Sequence, residues 1–227
     1  MSRDIIIAID GLAGSGKSTL AKQLAAALNY HYVDSGAFYR AVTLFFLDHG
    51  IDWERKESLT TALKYIHLDF LNNPDHNGWK TFLNGEDVGE RIRSMKVSGA
   101  VSEVSTLPEV RTFLVDKLRE YGKHKKVVMD GRDIGTVVFP GAELKVYLVA
   151  EEKIRIERRL REFKEKGMNV TEDQISQNLS GRDLLDSTRA TAPLKKADDA
   201  IVLDNTKLTL QEQFDVILKL ARERIGD

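Results

Sequence analysis

Residues 11–18 read Gly11-Leu12-Ala13-Gly14-Ser15-Gly16-Lys17-Ser18, a complete G-x-x-x-x-G-K-[ST] phosphate-binding loop. The preceding run Ile5-Ile6-Ile7-Ala8-Ile9 is rich in β-branched residues, as expected of a strand that is buried on both faces. After the loop, Leu20, Leu24 and Leu28 recur every four residues and form one stripe of a helix. A strand, a glycine-rich loop and a helix in this order predict a binding site for a nucleoside triphosphate. A glycine-rich turn that binds nothing is the alternative, and the match of both flanks argues against it.

The loop residues have distinct chemical roles. The glycines let successive backbone N–H groups converge on phosphate oxygens, and the helix N-terminus adds its partial positive charge. We expect Lys17 to reach the β- and γ-phosphates and Ser18 to hold Mg²⁺ through its hydroxyl. The predicted nucleotide-binding residues are Gly11, Leu12, Ala13, Gly14, Ser15, Gly16, Lys17, Ser18 and Thr19.

The composition of the chain narrows its possible partners. Lys and Arg number 34 against 35 Asp and Glu in 227 residues, so no global charge attracts nucleic acid or an anionic membrane. Without cysteine there is no disulfide and no thiolate ligand, and the five histidines never fall at ligand spacing. These features favour Mg²⁺ as the metal. We expect a cytoplasmic monomer that binds small molecules and neither nucleic acid nor a membrane, because no apolar run is long enough for a membrane span.

Strands and helices alternate along most of the chain. Apolar runs that predict strands follow at 31–33, 126–130, 144–149 and 200–203. Capping-box patterns at Thr171–Gln174 and Thr209–Glu212 predict the starts of two late helices. Five strands that alternate with helices predict an α/β fold of the P-loop NTPase type, with a parallel sheet and ligands at the carboxyl ends of its strands.

Residues 65–100 depart from this alternation. Turn-forming residues at 72–78 and 84–86 flank short segments that alternate as an exposed antiparallel sheet does. We predict a small α+β insertion over 65–100 that covers a second ligand, and a core domain formed by residues 1–64 and 101–227. A mobile lid is predicted at about 151–168.

Three polar clusters follow predicted strands or precede the last one, at 34–40, 130–140 and 182–189. Because ligands bind beyond the carboxyl ends of parallel strands, the first two clusters are expected to meet the phosphate loop across one crevice. Arginines recur in all three clusters.

The motifs Asp34-Ser35-Gly36-Ala37, Asp130-Gly131-Arg132-Asp133 and Arg189-Ala190-Thr191-Ala192-Pro193-Leu194 resemble those of bacterial-type cytidylate kinases in residue type, order and spacing. These are nucleoside monophosphate kinases of the P-loop class, and the resemblance runs from about residue 4 to about 222. Its most specific part is the stretch 130–140. Leu184-Leu185 and Ser187-Thr188 depart from the family's more charged pattern at the outer edge of the ribose site. The resemblance implies transfer of the γ-phosphoryl group of ATP to CMP and dCMP.

The resemblance also implies a site that reads cytosine. The exocyclic amine of cytosine is a donor beside the N3 and O2 acceptors. Ser35 and Asp133 are expected to accept from the amine, and Arg111, together with Arg132, to donate to N3 and O2. Uracil would turn its O4 carbonyl toward Asp133 and leave two acceptors facing each other, a mismatch that closed sites reject.

Further residues are assigned to the acceptor by the same resemblance. Ser102, Arg182 and Asp186 are implied to contact the sugar. Arg40, Arg132 and Arg189 are implied to hold the phosphate, since each guanidinium offers a planar fork to its oxygens. The implied catalytic cations are Lys17, Arg132, Arg158 and Arg189. The reaction needs no strong general base, because the acceptor is already an anionic phosphate.

Several alternatives remain open. Arg155, Arg158, Arg159 and Arg161 either belong to the lid or form a solvated helix face with intrahelical ion pairs. Asp130 and Asp34 are alternative carboxylates for orienting Mg²⁺ through water, and Asp34 could instead cap a helix. Arg132 and Asp133 could form a mutual ion pair, and Arg111 judged without the resemblance would lie at the surface.

Two rival functions are considered at this stage. One is a P-loop kinase for another small acceptor, such as UMP, AMP or an alcohol. The other is a GTPase switch, against which the chain lacks the Asn-Lys-x-Asp motif that reads guanine.

Overall fold

The computed structural model describes residues 3–73, 78–165, 167 and 169–226. The chain divides into two compact units. The first unit comprises Met1–Tyr32 and Tyr121–Asp227, and the second comprises Val33–Glu120. The predicted insertion at 65–100 lies within the second unit.

The elements follow one another along the chain as eight strands and eight helices within the described residues. The strands are β1 (Ile6–Gly11), β2 (His31–Asp34), β3 (Leu68–Asn73), β4 (Gly78–Leu83), β5 (Glu86–Asp87), β6 (Val127–Gly131), β7 (Leu144–Val149) and β8 (Ile201–Asp204). The helices are α1 (Lys17–Leu28), α2 (Ser35–Asp48), α3 (Lys56–Leu63), α4 (Met95–Val104), α5 (Pro108–Tyr121), α6 (Glu152–Glu165), α7 (Glu172–Thr188) and α8 (Leu210–Ile225).

The central sheet has five strands in the order β2-β6-β1-β7-β8. Strand β1 pairs in parallel with β6 on one side and with β7 on the other. Ile7 and Ile9 of β1 are fully buried, as the β-branched run predicts for a strand covered on both faces. The predicted α/β fold with a five-stranded parallel sheet is confirmed. In the β1–β6 register Ile9 lies opposite Asp130 and Asp10 opposite Gly131, so polar residues of both strands lie at the same edge.

Helix α1 begins directly behind the phosphate loop. Its buried stripe includes Leu20, Ala21 and Leu24, as predicted from their spacing. The helix ends at Asn29 in the left-handed conformation (φ 54°), a common C-terminal stop.

The second unit contains a separate three-stranded antiparallel sheet in the order β3-β4-β5. Phe70 lies opposite Thr81 in this register, which confirms the antiparallel pairing predicted for the segment. Residues 74–77 of the predicted turn lie outside the described residues. The ring of Phe38 on α2 packs edge-on against Phe70, with centroids 6.1 Å apart, and ties the sheet to that helix.

Helices α6 and α7 pack against each other in the first unit. Their shared apolar cluster includes Ile156 and Phe163 from α6 and Ile175 and Leu179 from α7. Helix α7 starts at the predicted capping box, in which Thr171 and Gln174 bond each other's backbone. Among the residues that the structure describes, no helix combines the length and apolar character needed to cross a membrane.

Candidate active site

The phosphate loop is shaped by glycines in positive-φ conformations. Gly14 has φ 75° and Gly16 has φ 92°, in the left-handed region that residues with a Cβ rarely adopt. At Gly11 a Cβ would lie 2.2 Å from the carbonyl oxygen of Leu148 on β7, so only glycine fits between the two strands. The loop curls back toward its own lysine, since Lys17 Nζ donates to the Leu12 carbonyl at 2.6 Å. The lysine is therefore already held at the centre of the loop.

The environment of Lys17 weakens its hold on a proton. Burial, followed by the nearby Arg132 guanidinium, lowers the pKa of Lys17 to about 7, although Asp130 and Asp10 act in the opposite direction. A polyanion placed against the amine favours its charged form. The binding of a triphosphate is therefore expected to restore the charge of Lys17.

Oxygen donors suited to a hard cation lie beside the loop. The Ser18 hydroxyl donates to Asp130 Oδ2 at 2.8 Å, and the Tyr32 hydroxyl donates to Asp130 Oδ1 at 2.9 Å. Within the described part of the chain no three His, Asp or Glu side chains cluster as a metal site. This donor set fits Mg²⁺, which keeps several waters and takes its remaining ligands from one or two carboxylates and from phosphates.

Asp34, the other candidate carboxylate, has different partners in the second unit. Its side chain accepts from Ala37 N at 2.9 Å and thereby caps α2, as the capping alternative predicted. Its other oxygen accepts from Arg40 Nη2 at 3.0 Å. Asp34 therefore fixes both the start of the helix and the guanidinium that is expected to hold the phosphate.

Four residues that are predicted to bind the phosphoryl-acceptor substrate lie together in the first unit and form a chain of ion pairs. Arg132 Nε donates to Asp186 Oδ2 at 2.7 Å, and Arg189 Nη2 donates to Asp133 Oδ1 at 3.3 Å. The pairs join through Arg189 and Asp186, whose charged atoms are 3.9 Å apart. Arg132 and Asp133 thus pair with partners on or next to α7, in place of the mutual ion pair considered from the sequence.

Charge within this cluster is strongly stabilised. Burial alone would raise the pKa of Asp186, but the Arg132 and Arg189 guanidinium groups hold it below its usual value. Burial would likewise lower the pKa of Arg132, and the carboxylates around it, Asp186 foremost, raise it instead. Both groups therefore remain ionised at neutral pH. Arg182, the neighbouring residue predicted to contact the sugar, is half-buried on α7.

Asp10 is a functional candidate that the sequence reasoning missed. Its carboxylate accepts from the backbone N–H groups of Ile134 at 2.8 Å and Gly135 at 2.7 Å. These residues begin the π-helical turn Ile134–Val138, directly after Arg132 and Asp133. Burial raises the pKa of Asp10 to about 6 despite the two hydrogen bonds. Its position was the available signal, since Asp10, like Asp130, is a carboxylate at the end of a buried strand.

The remaining acceptor candidates lie in the second unit. Ser35 at the start of α2 and Ser102 on α4 are both buried. Arg111 is buried as well, contrary to the surface position that its sequence context alone suggested. Its Nη1 donates to the Ser105 carbonyl at 3.2 Å, and its guanidinium lies 5.6 Å from the centre of the Tyr39 ring.

The arginines of α6 divide between two environments. Arg158 donates to the Ser15 carbonyl of the phosphate loop at 3.2 Å and to Asn205 Oδ1 at 3.1 Å. Arg159 instead pairs with Glu162 at 2.6 Å along the helix, as the solvated-face alternative predicted. Arg161 is exposed. Arg158 therefore contacts the phosphate loop directly, whereas the ion pair of Arg159 lies within α6.

Comparisons with known proteins identify the family of the chain. A family model described as cytidylate kinase matches residues 7–223. A cytidylate kinase of Flavobacterium johnsoniae is 47% identical over 224 residues, which cover 97% of each chain. A cytidylate kinase of Phocaeicola vulgatus is 49% identical over 214 residues, 93% of each chain. The crystal structure of a shikimate kinase from Bacteroides thetaiotaomicron matches with a TM-score of 0.50 at 14% identity, covering 99% of this chain and 100% of that one, and shows the shared fold alone.

Proposed function

Because the chain belongs to the cytidylate kinase family, we propose that it transfers the γ-phosphoryl group of ATP to CMP, giving ADP and CDP. It is a nucleoside monophosphate kinase. The observation that best supports the proposal is that the Ser18 hydroxyl of the phosphate loop donates to Asp130 Oδ2 at 2.8 Å, two residues before Arg132, which is implied for the acceptor. Residues assigned to ATP and residues assigned to CMP thus lie close together in the first unit. The proposal includes dCMP as a second acceptor.

On the donor side, the backbone N–H groups of residues 11–19 bind the β- and γ-phosphates, and Lys17 leaves the Leu12 carbonyl to contact them. Ser18 and Asp130 are the residues that would hold Mg²⁺. That ion, when bound, neutralises charge on the transferring phosphoryl group. Arg158, in contact with the loop at Ser15, adds positive charge to the same region.

On the acceptor side, Arg132 and Arg189 together with Arg40 bind the CMP phosphate as planar forks. Asp133 accepts a hydrogen bond from the cytosine amine, with Ser35 as a second acceptor, and Arg111 donates to the base. Ser102, Arg182 and Asp186 bind the sugar. These residues align two mutually repelling anions, which is the main task of an enzyme in phosphoryl transfer.

Three further assignments extend the proposal. Residues 65–100 act as the insertion that covers CMP, apart from a core of 1–64 and 101–227. Residues 151–168 act as a lid that excludes water, since an open site would hydrolyse ATP. The balanced charge supports small molecules as the partners of a cytoplasmic monomer, and light scattering after gel filtration tests the monomer.

The experiment that tests the activity is a coupled assay of ADP release with CMP, dCMP, UMP and AMP as acceptors, at saturating MgATP. We expect kcat/KM to be highest for CMP and dCMP. Equal turnover with UMP or AMP would refute the cytosine assignment. Release of ADP that does not depend on any acceptor would refute a kinase function altogether.

A further inference from the structure

One residue of the phosphate loop, Ala13, is held through both of its backbone polar groups by helices that follow much later in the chain. The carbonyl oxygen of Ala13 accepts from Arg155 Nη1 of α6 at 3.1 Å. The backbone N–H of Ala13 donates to Asp183 Oδ1 of α7 at 3.4 Å. The Ala13 methyl group is buried in the apolar cluster that these helices share. Three kinds of contact therefore converge on a single loop residue.

The two side chains that contact the Ala13 backbone also form an ion pair with each other. Arg155 Nη1 and Asp183 Oδ2 are 2.5 Å apart, and the Arg155 side chain is only 6% exposed. Arg155 also packs directly against the next loop residue, since a Cβ at Gly14 would lie 3.3 Å from the Arg155 Cβ. A rotation of the peptide group after Ala13 would break the hydrogen bond from Arg155 to the Ala13 carbonyl and leave a buried guanidinium with one acceptor fewer. The ion pair thus fixes the backbone that presents N–H groups to phosphate.

Simple attachment of α6 to α7 does not require this arrangement. The two helices already share the apolar cluster, and the Ser180 hydroxyl of α7 donates to Glu152 Oε1 of α6 at 2.8 Å on the exposed side. Asp183 also lies one helical turn before Asp186, which binds Arg132. One face of α7 therefore contacts both the donor loop and an acceptor arginine.

We propose that Arg155 and Asp183 are positioning residues that preset the phosphate loop for ATP by clamping the backbone N–H and carbonyl groups of Ala13. The inference rests on the proposed function, because ATP is the ligand whose binding it concerns. The clamp acts on ATP through the loop backbone and takes no part in the phosphoryl-transfer step. Its loss is therefore expected to weaken ATP binding far more than CMP binding.

The test compares Asp183→Asn, Arg155→Lys and the double variant Arg155→Met with Asp183→Asn. Ser180→Ala is the matched control, since it removes an α6–α7 hydrogen bond that does not involve the loop. We expect a rise of about tenfold in the KM for ATP in each clamp variant, the scale of one charge-assisted hydrogen bond. The KM for CMP should stay within about twofold of wild type, as should both constants in Ser180→Ala.

The outcomes separate the inference from the function on which it rests. A wild-type enzyme that fails to phosphorylate CMP refutes the proposed function. An active wild type whose clamp variants keep the KM for ATP, or raise both KM values equally, overturns the clamp alone. If removal of Asp183 prevents folding, Arg155→Lys decides the question. It keeps the positive charge, but its side chain ends one bond short of Arg155 Nη1, the nitrogen that contacts both Asp183 and the Ala13 carbonyl.

Discussion

Replacement of Asp10 by Asn tests whether a buried carboxylate holds the turn that carries Arg132 and Asp133. The wild-type side chain accepts two backbone N–H groups, one on each oxygen. The Asn side chain has one oxygen and one NH₂ group, so one backbone N–H faces a donor. This loss costs about 1–3 kcal/mol at every pH. The variant removes the ionisable group without changing its size.

The size of the pH effect follows from the pKa of Asp10, which burial raises from 3.8 to about 6. Because the folded-state pKa lies above the unfolded one, the native state binds more protons between these values, and stability falls as the pH rises through them. The full difference is roughly 3 kcal/mol, of which about 2 kcal/mol falls between pH 4.5 and pH 7. Asp10→Asn is free of this loss. The difference in unfolding free energy by which wild type exceeds Asp10→Asn should therefore shrink by about 2 kcal/mol as the pH rises from 4.5 to 7.

The assay is urea unfolding of both proteins at pH 4.5, 5.5, 6.2 and 7, followed by far-UV circular dichroism. Tryptophan fluorescence is unsuitable, because Trp53 and Trp79 both belong to the second unit, whereas Asp10 lies in the first. Asp116→Asn, which removes an exposed carboxylate of α5, controls for the change in net charge. A stability difference between wild type and Asp10→Asn that stays constant across the series would refute the raised pKa and its cause.

Three further predictions concern the donor loop, the base site and the strand contact. Lys17→Ala should abolish turnover yet leave CMP affinity largely intact in titration calorimetry, and a comparable loss of CMP affinity would mean that donor and acceptor sites are wrongly separated. Asp133→Asn should erode the preference for CMP over UMP, and an unchanged ratio of their kcat/KM values would remove Asp133 from base reading. Gly11→Ala places a Cβ 2.2 Å from the Leu148 carbonyl oxygen and should lower stability by more than about 3 kcal/mol, and an unaltered melting temperature would contradict that close approach.

Local features of the fold could be predicted from the sequence because their causes are local. The strand before the phosphate loop, the loop and α1 follow from periodicity and glycine placement within residues 5–28. The capping boxes at Thr171 and Thr209 were readable because each involves residues three apart. The antiparallel pairing of β3 with β4 likewise follows from short alternating segments that flank turn-forming residues.

The site was harder to predict where a side chain finds its partner far along the chain. Asp10 bonds backbone N–H groups 124 and 125 residues away, and no pattern around Asp10 encodes that distance. Arg155 contacts a carbonyl 142 residues earlier, although its neighbours on α6 read as a solvated, mixed-charge face. Arg111 contacts the Tyr39 ring of α2 and the Ser105 carbonyl just after α4. Residue type identified these side chains as candidates, and the tertiary structure supplied their partners.

The arginines implied for phosphate binding each have an aspartate already in contact: Asp186 for Arg132, Asp133 for Arg189 and Asp34 for Arg40. If these arginines bind the CMP phosphate as proposed, the phosphate must displace a carboxylate or share a guanidinium with it. The gain in binding free energy would then be smaller than an unpaired guanidinium would provide. The same exchange would lower the affinity for the monophosphate substrate and for the diphosphate product. On the proposed assignment, a carboxylate that returns to its arginine as the product leaves would favour product release.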